Sequence, residues 1–388
     1  MEKLRLAVVG VGNMGSFHAE VLYSSQIENA VLVALCDTDK EKRERLALKY
    51  PDIRIYSSHK QMLEQEELDG VMVAVPHYEH CRITVDCLEK GLHVLCEKPE
   101  AVSVSQARLM NEAAERSGKV YALMFNQRTN PIYAKAKELV EAGVLGKRKR
   151  MTWIITNWYR TQAYYNSGQW RATWKGEGGG VLLNQAPHNL DLWQWIFGMP
   201  QRVRAFCSLG KYHDIEVEDD VRIFASYDDG ATAEFITTTG EFPGTNRLEL
   251  VGDRAKMVIE NGKLKVWRLE IPERQFCFES KKGFAEIPTV YEEYEPREER
   301  EGHISITENF VRAILKGEKL IAKGCEGINE LSISNAAYLS SFGDKEISLP
   351  LCEEDFDAFL DQMKASSKEK ETFSSGESDA RCRWQVRW

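Results

Sequence analysis

The 388-residue chain contains no run approaching the roughly 20 consecutive apolar residues that a membrane helix requires, so no membrane span is expected. It also has no paired Cys-x-x-Cys spacing. Its 9 cysteines (Cys36, Cys81, Cys87, Cys96, Cys207, Cys277, Cys325, Cys352, Cys382) are scattered, which argues against a zinc or redox site and for buried thiols in a reducing compartment. No metal is expected. Excess positive charge is missing too: 51 Lys and Arg against 60 Asp and Glu leave a formal net charge of -9. That balance excludes a nucleic-acid binder, whose phosphate affinity rests on clustered cations. The one basic run, Lys147-Arg148-Lys149-Arg150, reads as a solvated strand start. The opening Met1-Glu2-Lys3-Leu4-Arg5 leads into a strand rather than a signal peptide, so a cytoplasmic location is expected.

What is present is the composition of a globular protein, 43% hydrophobic and 29% charged, on a length that suggests two domains. Leu4 to Val9 is an aliphatic run ending in Gly10-Val11-Gly12-Asn13-Met14-Gly15, after which a helix runs to Tyr23. In a strand–turn–helix unit, Gly10 makes the tight turn, Gly12 lets backbone amides approach a pyrophosphate, and Gly15 lets helix and strand pack closely. A second strand, Val31 to Cys36, ends in Asp37, the position from which a carboxylate binds a free ribose diol and repels a 2′-phosphate. NAD is therefore expected in preference to NADP. Arg43 and Arg45 are read on the exposed face of the next helix. Strands continue to alternate with helices, which implies a parallel, doubly wound sheet. The strand Gly70 to Val75 ends at Pro76, so Val75, Pro76, His77 and His80 are candidate cofactor contacts; His80 reads equally well as a packing histidine.

The strand Val94 to Cys96 ends in Glu97-Lys98-Pro99. Ligands of open α/β sheets bind at the carboxyl ends of the strands, and Pro99 restricts Lys98 to extended geometry. Lys98 is thus a candidate catalytic group and Glu97 a candidate cofactor contact. After the strand Val120 to Phe125, Asn126 is a candidate cofactor contact and Arg128 a candidate substrate contact.

Beyond Asn126 the chain changes character. Tyr159, Tyr164, Trp170 and Arg171 stand in an aromatic, Arg-bearing stretch suited to stacking on sugars and bonding their hydroxyls; a satellite core is the other reading. A helix marked by Pro187 and Gly198 follows, with Asn184, His188 and Asp191 on one face of it and of its N-terminal approach. A histidine so placed can exchange a proton near neutral pH. Asn184 reads as an N-cap or as a substrate contact. From Arg202 on, period-two alternation predicts strands at Val203–Leu209, Asp220–Tyr227, Ala231–Thr239, Arg247–Val251, Ala255–Ile259 and Leu264–Leu269, an open and mainly antiparallel sheet.

These residues together carry a resemblance. Gly10-x-Gly12-x-x-Gly15 with Asp37, Glu97-Lys98-Pro99, Asn126-x-Arg128, the triple glycine 178–180 and His188-x-x-Asp191 resemble the Gfo/Idh/MocA oxidoreductases over residues 1 to 351. The resemblance implies an N-terminal Rossmann domain and a C-terminal α/β domain whose large open sheet serves oligomerisation, as a homodimer or homotetramer. It implies that Lys98 contacts the reacting hydroxyl and the nicotinamide, that Glu97 helps place the cofactor, and that His188 is the general acid/base. Asn184 departs from the Asp that many inositol dehydrogenases of the family carry there. The domain expectation is 1–126, 127–364 (with a helix at 325–345 able to pack back on the first domain) and a polar linker with an Arg/Trp tail at 365–388. The functional expectation is an NAD-dependent dehydrogenase acting on a secondary hydroxyl of a sugar, glycoside or cyclitol. An NAD-dependent glycosidase working by transient oxidation and elimination, and a non-catalytic NAD- and sugar-binding regulator, remain open at this point.

Overall fold

The computed structural model describes residues 3–296 and 302–368. The tail, and most of the linker expected before it, lie outside these residues. The described chain divides into two units. One holds the residues up to Thr129, Lys175–Gly178 and those of 300–331; the other holds Asn130–Trp174, residues 179–299 and those from Ser332 onward.

In the first unit, aliphatic runs buried on both faces make the strands of a parallel sheet: β1 (Leu4–Val9), β2 (Ala30–Cys36), β3 (Arg54–Tyr56), β4 (Gly70–Val73), β5 (His93–Cys96) and β6 (Tyr121–Leu123), in the order β3-β2-β1-β4-β5-β6. Helices α1 (Asn13–Tyr23), α2 (Lys40–Lys49), α3 (His59–Gln65), α4 (His77–Glu89) and α5 (Val104–Ser117) make the crossovers. Their ends follow local chemistry. The Ser103 side chain caps α5 by accepting from the amide of Gln106, and Gly118 closes it with φ 64°. The register sets the functional edge: Val9 pairs with Cys36 and Val73, Val73 with Cys96, and Cys96 with Leu123. Gly10, Asp37, Ala74, Glu97 and Met124 therefore leave the sheet side by side.

The second unit is built on a nine-stranded sheet of β7 (Arg148–Ile155), β8 (Arg202–Leu209), β9 (Glu218–Ser226), β10 (Thr232–Thr238), β11 (Asn246–Gly252), β12 (Ala255–Glu260), β13 (Lys263–Leu269), β14 (Thr289–Tyr294) and β15 (Ile347–Ser348). Their order is β14-β13-β12-β11-β7-β10-β9-β8-β15, antiparallel except for the parallel pair β7 and β10. One face is core: Met151, Trp153, Ile223, Phe235, Leu248 and Val266 are buried. The other carries a charge ladder of Arg150, Glu249, Arg247 and Glu260 together with exposed Phe206 and Phe224. The edge strand β14 was not legible in the sequence, because none of its six residues is buried and no inside–outside alternation marks it.

Helices α6 (Pro131–Glu141), α7 (Gln162–Asn166), α8 (Val181–Asn184) and α9 (Pro187–Phe197) belong to this unit. Trp193 is the core tryptophan of α9: it is fully buried and donates from Nε1 to Tyr227 Oη at 2.7 Å.

Candidate active site

The edge of the parallel sheet begins at the glycine turn. Gly10 has φ 85°, and a Cβ there would lie 2.4 Å from the carbonyl oxygen of Ala74; one at Gly15 would lie 1.8 Å from that of Gly10. Only glycine allows these two approaches. At Gly12 a Cβ would meet nothing within 4 Å, so the turn is open on the side where α1 presents its first amides, and no side chain caps that helix. Asp37 accepts from the Val11 amide at 2.8 Å and from the Asp39 amide at 2.9 Å, which binds the carboxylate at the end of β2 to the turn itself. Arg43 does not lie on the exposed face expected for it. Its Nη1 donates to the carbonyls of Asp37 and Thr38 at 2.9 and 2.7 Å.

At the end of β5, Glu97 is buried, with Oε1 2.8 Å from Nε2 of His18. Burial raises the Glu97 carboxyl, but the hydrogen bond and charge of His18, with the charges of His303 and Lys98, outweigh it and hold the pKa at about 2. Glu97 is thus an anion at neutral pH beside the half-buried Lys98. Asn126 is buried, with Nδ2 3.3 Å from Nδ1 of His303. Its Oδ1 has no donor partner among the described residues. An open glycine turn at a helix N-terminus, a carboxylate at the end of β2 and a buried amide oxygen without a donor are groups that fit a dinucleotide with a carboxamide at its far end. Val75 is half-buried and Pro76 exposed, so both present surface along this edge. Sequence reasoning missed His18 and His303, which lie 79 and 177 residues from the groups they meet.

Two other predicted residues have structural partners. Arg128 is 2% exposed, pairs with Glu326, and donates to the Ile321 carbonyl; its guanidinium anchors the chain within this unit. Both ring nitrogens of His80 face backbone carbonyls, those of Pro99 and Val75, at 2.8 and 2.9 Å. Burial nevertheless lowers its pKa. His80 thereby ties the ends of β4 and β5 together. Nδ1 of His77 lies 3.0 Å from the Glu177 carbonyl oxygen.

In the second unit the candidate groups gather around α8 and α9. The expected helix is α9, and its approach holds a short helix of its own, α8: Ala186 is the N-cap residue of α9 with no side-chain cap bond, and Asn184 is the last residue of α8. The N-cap reading of Asn184 is therefore overturned. His188 and Asp191 occupy successive turns of α9 and are buried, and Asp191 accepts from Gln194 at 2.9 Å. The segment before α8 is clamped by Glu218, which is fully buried. Its Oε1 accepts from the amides of Gly180 and Leu182 at 3.0 and 2.9 Å and from Tyr338 Oη at 2.7 Å. Glycine is obligatory at 180, where a Cβ would lie 2.0 Å from the Glu218 carbonyl oxygen.

The aromatic stretch splits between core and surface. Trp174 is buried and donates from Nε1 to the Glu216 carbonyl, and Tyr165 is buried with its hydroxyl 2.6 Å from Thr239 Oγ1. Tyr164, Trp170 and Arg171 stay half-buried. Arg171 donates to Tyr164 Oη at 2.8 Å, Gln185 donates to the same oxygen at 3.2 Å, and Gln185 also donates to Asn184 Oδ1 at 3.1 Å. Tyr159 stands apart, exposed and with its ring against Phe242.

Comparison with known proteins follows the same two-part division. Residues 4–125 match the model of an oxidoreductase family with an NAD-binding Rossmann fold, Gfo/Idh/MocA, and residues 133–258 match a Gfo/Idh/MocA C-terminal domain. The D-glucoside 3-dehydrogenase of Escherichia coli (strain K12) is 34% identical over 203 residues, 51% of this chain and 55% of that protein. The chain thus spans little more than half the length of that relative. The myo-inositol 2-dehydrogenase of Thermotoga maritima is 24% identical over 345 residues, covering 87% of this chain and 96% of the relative. The WlbA dehydrogenase of Bordetella pertussis, solved in complex with NADH and UDP-GlcNAcA, matches with a TM-score of 0.76 at 24% identity, over 90% of this chain and 100% of that one. At that identity the likeness is one of fold.

Proposed function

The chain belongs to the Gfo/Idh/MocA oxidoreductase family, and on that premise we propose that it is an NAD-dependent dehydrogenase oxidising a secondary hydroxyl of a sugar, glycoside or cyclitol to a ketone. The observation that carries this reading is the row of groups that the parallel register brings to one edge: the glycine turn, Asp37, Glu97-Lys98 and, just beyond β6, Asn126. Gly10, Gly12, Gly15 and the amides of Asn13 and Met14 would hold the pyrophosphate, Asp37 the adenosine ribose, and Asn126 the carboxamide. Val75, Pro76 and His77 would border the same ligand. When bound, the nicotinamide supplies the hydride acceptor.

The chain's own residues then divide the work. His188 takes the hydroxyl proton as general base. The Lys98 ammonium stabilises the alkoxide as it develops, at a position fixed by the strand before it and the proline after it. Glu97 holds its negative charge beside Lys98. Asn184, Tyr164, Trp170 and Arg171 orient the substrate ring, with Tyr159 at their margin. We assign the outer face of the nine-stranded sheet, with Phe206 and Phe224 exposed on it, to contact with a second copy in a homodimer or homotetramer.

The test is spectrophotometric. The full chain is offered NAD or NADP with a panel of inositols, free sugars and aryl glycosides, and reduced nicotinamide and released aglycone are followed together. NADH formation is the expected result. Aglycone release without net NADH would replace the dehydrogenase with a glycosidase, and NAD binding without either signal would leave a regulator.

Asp37 supplies a separate expectation. Asp37→Ala removes both the repulsion of a 2′-phosphate and the bond to the Val11 amide, while Arg43 stays beside that position, bonded to the backbone carbonyls of residues 37 and 38. The ratio of kcat/KM for NAD over NADP should fall at least about tenfold. An unchanged ratio would remove Asp37 from cofactor selection.

A further inference from the structure

Two guanidinium groups converge on one tyrosine ring in the second unit. The Arg160 and Arg171 carbons Cζ lie 5.0 and 4.6 Å from the ring centroid of Tyr164, and Arg171 lies 4.6 Å from that of Trp170 as well. Stacking of this kind holds a guanidinium by its face and leaves its N–H edge for other partners. Arg160 forms no ion pair among the described residues: its Nη1 donates to the carbonyls of Trp158 and Tyr159 at 3.1 and 3.0 Å. The edge formed by Nε and Nη2 bonds no described residue. That edge is the planar, two-donor fork that meets a carboxylate with two parallel hydrogen bonds.

The tyrosine hydroxyl points the same way. Tyr164 Oη accepts from both Arg171 and Gln185, so its lone pairs are taken and its own proton is available to donate. The groups offered here are therefore donors. Gln185 also bonds Asn184, so the cluster is continuous with the helix pair that carries His188.

We propose that the substrate carries a carboxylate, making it a sugar acid such as a uronate or its glycoside, and that the Arg160 fork and the Tyr164 hydroxyl receive that carboxylate while Trp170 and Tyr164 line the ring. This rests on the dehydrogenase reading for the position of the reacting hydroxyl. It adds a specificity residue, Arg160, and a substrate class. The fork by itself accepts either anion; a carboxylate is favoured over a phosphate because the two fork donors and the Tyr164 proton suffice for its two oxygens, whereas the three terminal oxygens of a phosphate dianion would be left short of donors.

The experiment is calorimetric titration of the full chain, with and without NADH, by glucuronate and methyl glucuronide against glucose, methyl glucoside, myo-inositol and glucose 6-phosphate. The uronates should bind at least about tenfold more tightly than their neutral counterparts at low salt, and the gap should narrow as salt screens the pair. In Arg160→Gln the gap should fall below about threefold, and Arg160→Lys, which keeps the charge but not the fork, should be intermediate. Equal binding of acid and neutral forms, tightest binding of the phosphate, or a gap untouched in Arg160→Gln would each overturn the proposal. The same panel read by NADH formation separates the two levels. A neutral sugar oxidised with no preference for the acid leaves the dehydrogenase and removes the carboxylate site. Uronate bound selectively but oxidised nowhere does the reverse.

Discussion

Lys98→Ala should lower kcat by roughly 100- to 1000-fold, the loss seen when one donor to a developing oxyanion is removed, while the Kd for NADH changes less than about threefold. The separation follows from where the residue sits. The proposed cofactor contacts at the turn and at Asp37 come from other strands, and they persist without the ammonium. Lys98 itself stands between a carboxylate held at about 2 and a proline, at the end of a buried strand. Its backbone position is therefore fixed by the strand before it and the proline after it. Stopped-flow turnover with the best substrate, together with fluorescence titration of NADH, measures both quantities. Turnover above about a tenth of wild type would exclude Lys98 from the chemistry.

Glu218→Ala should destabilise the second unit by roughly 3–6 kcal/mol, because it strands three buried donors, the amides of Gly180 and Leu182 and the hydroxyl of Tyr338. Activity should fall with it, since the clamped segment leads directly into Asn184 and His188. Glu218→Gln keeps an acceptor oxygen for these donors and should cost only about 1 kcal/mol. The pair of variants also exposes a pH effect. Burial pushes the Glu218 carboxyl up from 4.5 to about 7, against the pull of the groups that donate to it. The folded state thus keeps a proton that the unfolded chain releases at lower pH. Its stabilising contribution is full below about 4.5 and is lost as pH rises through 7, after which the curve is flat. Urea melts of wild type between pH 4.5 and 8 should fall relative to those of Glu218→Gln. Parallel curves would show that Glu218 does not titrate in this range.

Much of the first unit was legible residue by residue. Gly15 is required by a contact within one strand–turn–helix unit and Gly10 by its own positive φ in the tight turn, and Asp37 follows from the end of an aliphatic run; each signal is local. The strands β8 to β13 were legible for the same reason, because period-two burial is written in adjacent residues. β9 is instructive at its margin. Its expected start was Asp220, yet it begins at Glu218, so that three consecutive acids, Glu218, Asp219 and Asp220, lie in the strand. Each of the three is satisfied in place: Glu218 by Gly180 and Leu182, Asp219 by the amides of Lys211, Tyr212 and His213, and Asp220 by Lys211 and Arg222.

From the sequence alone follow the alternation that makes the parallel sheet, the glycine turn, the carboxylate after β2, and Lys98 held between Glu97 and Pro99, because propensity, periodicity and backbone restriction act over a few neighbouring residues. Only the tertiary structure decided that His18 meets Glu97, that Asn126 meets His303, that Arg128 belongs to Glu326, and that Glu218 grips the segment before α8. Those partners are 79, 177, 198 and 38 residues apart, and a buried polar group takes whichever partner the packed chain brings within hydrogen-bond reach.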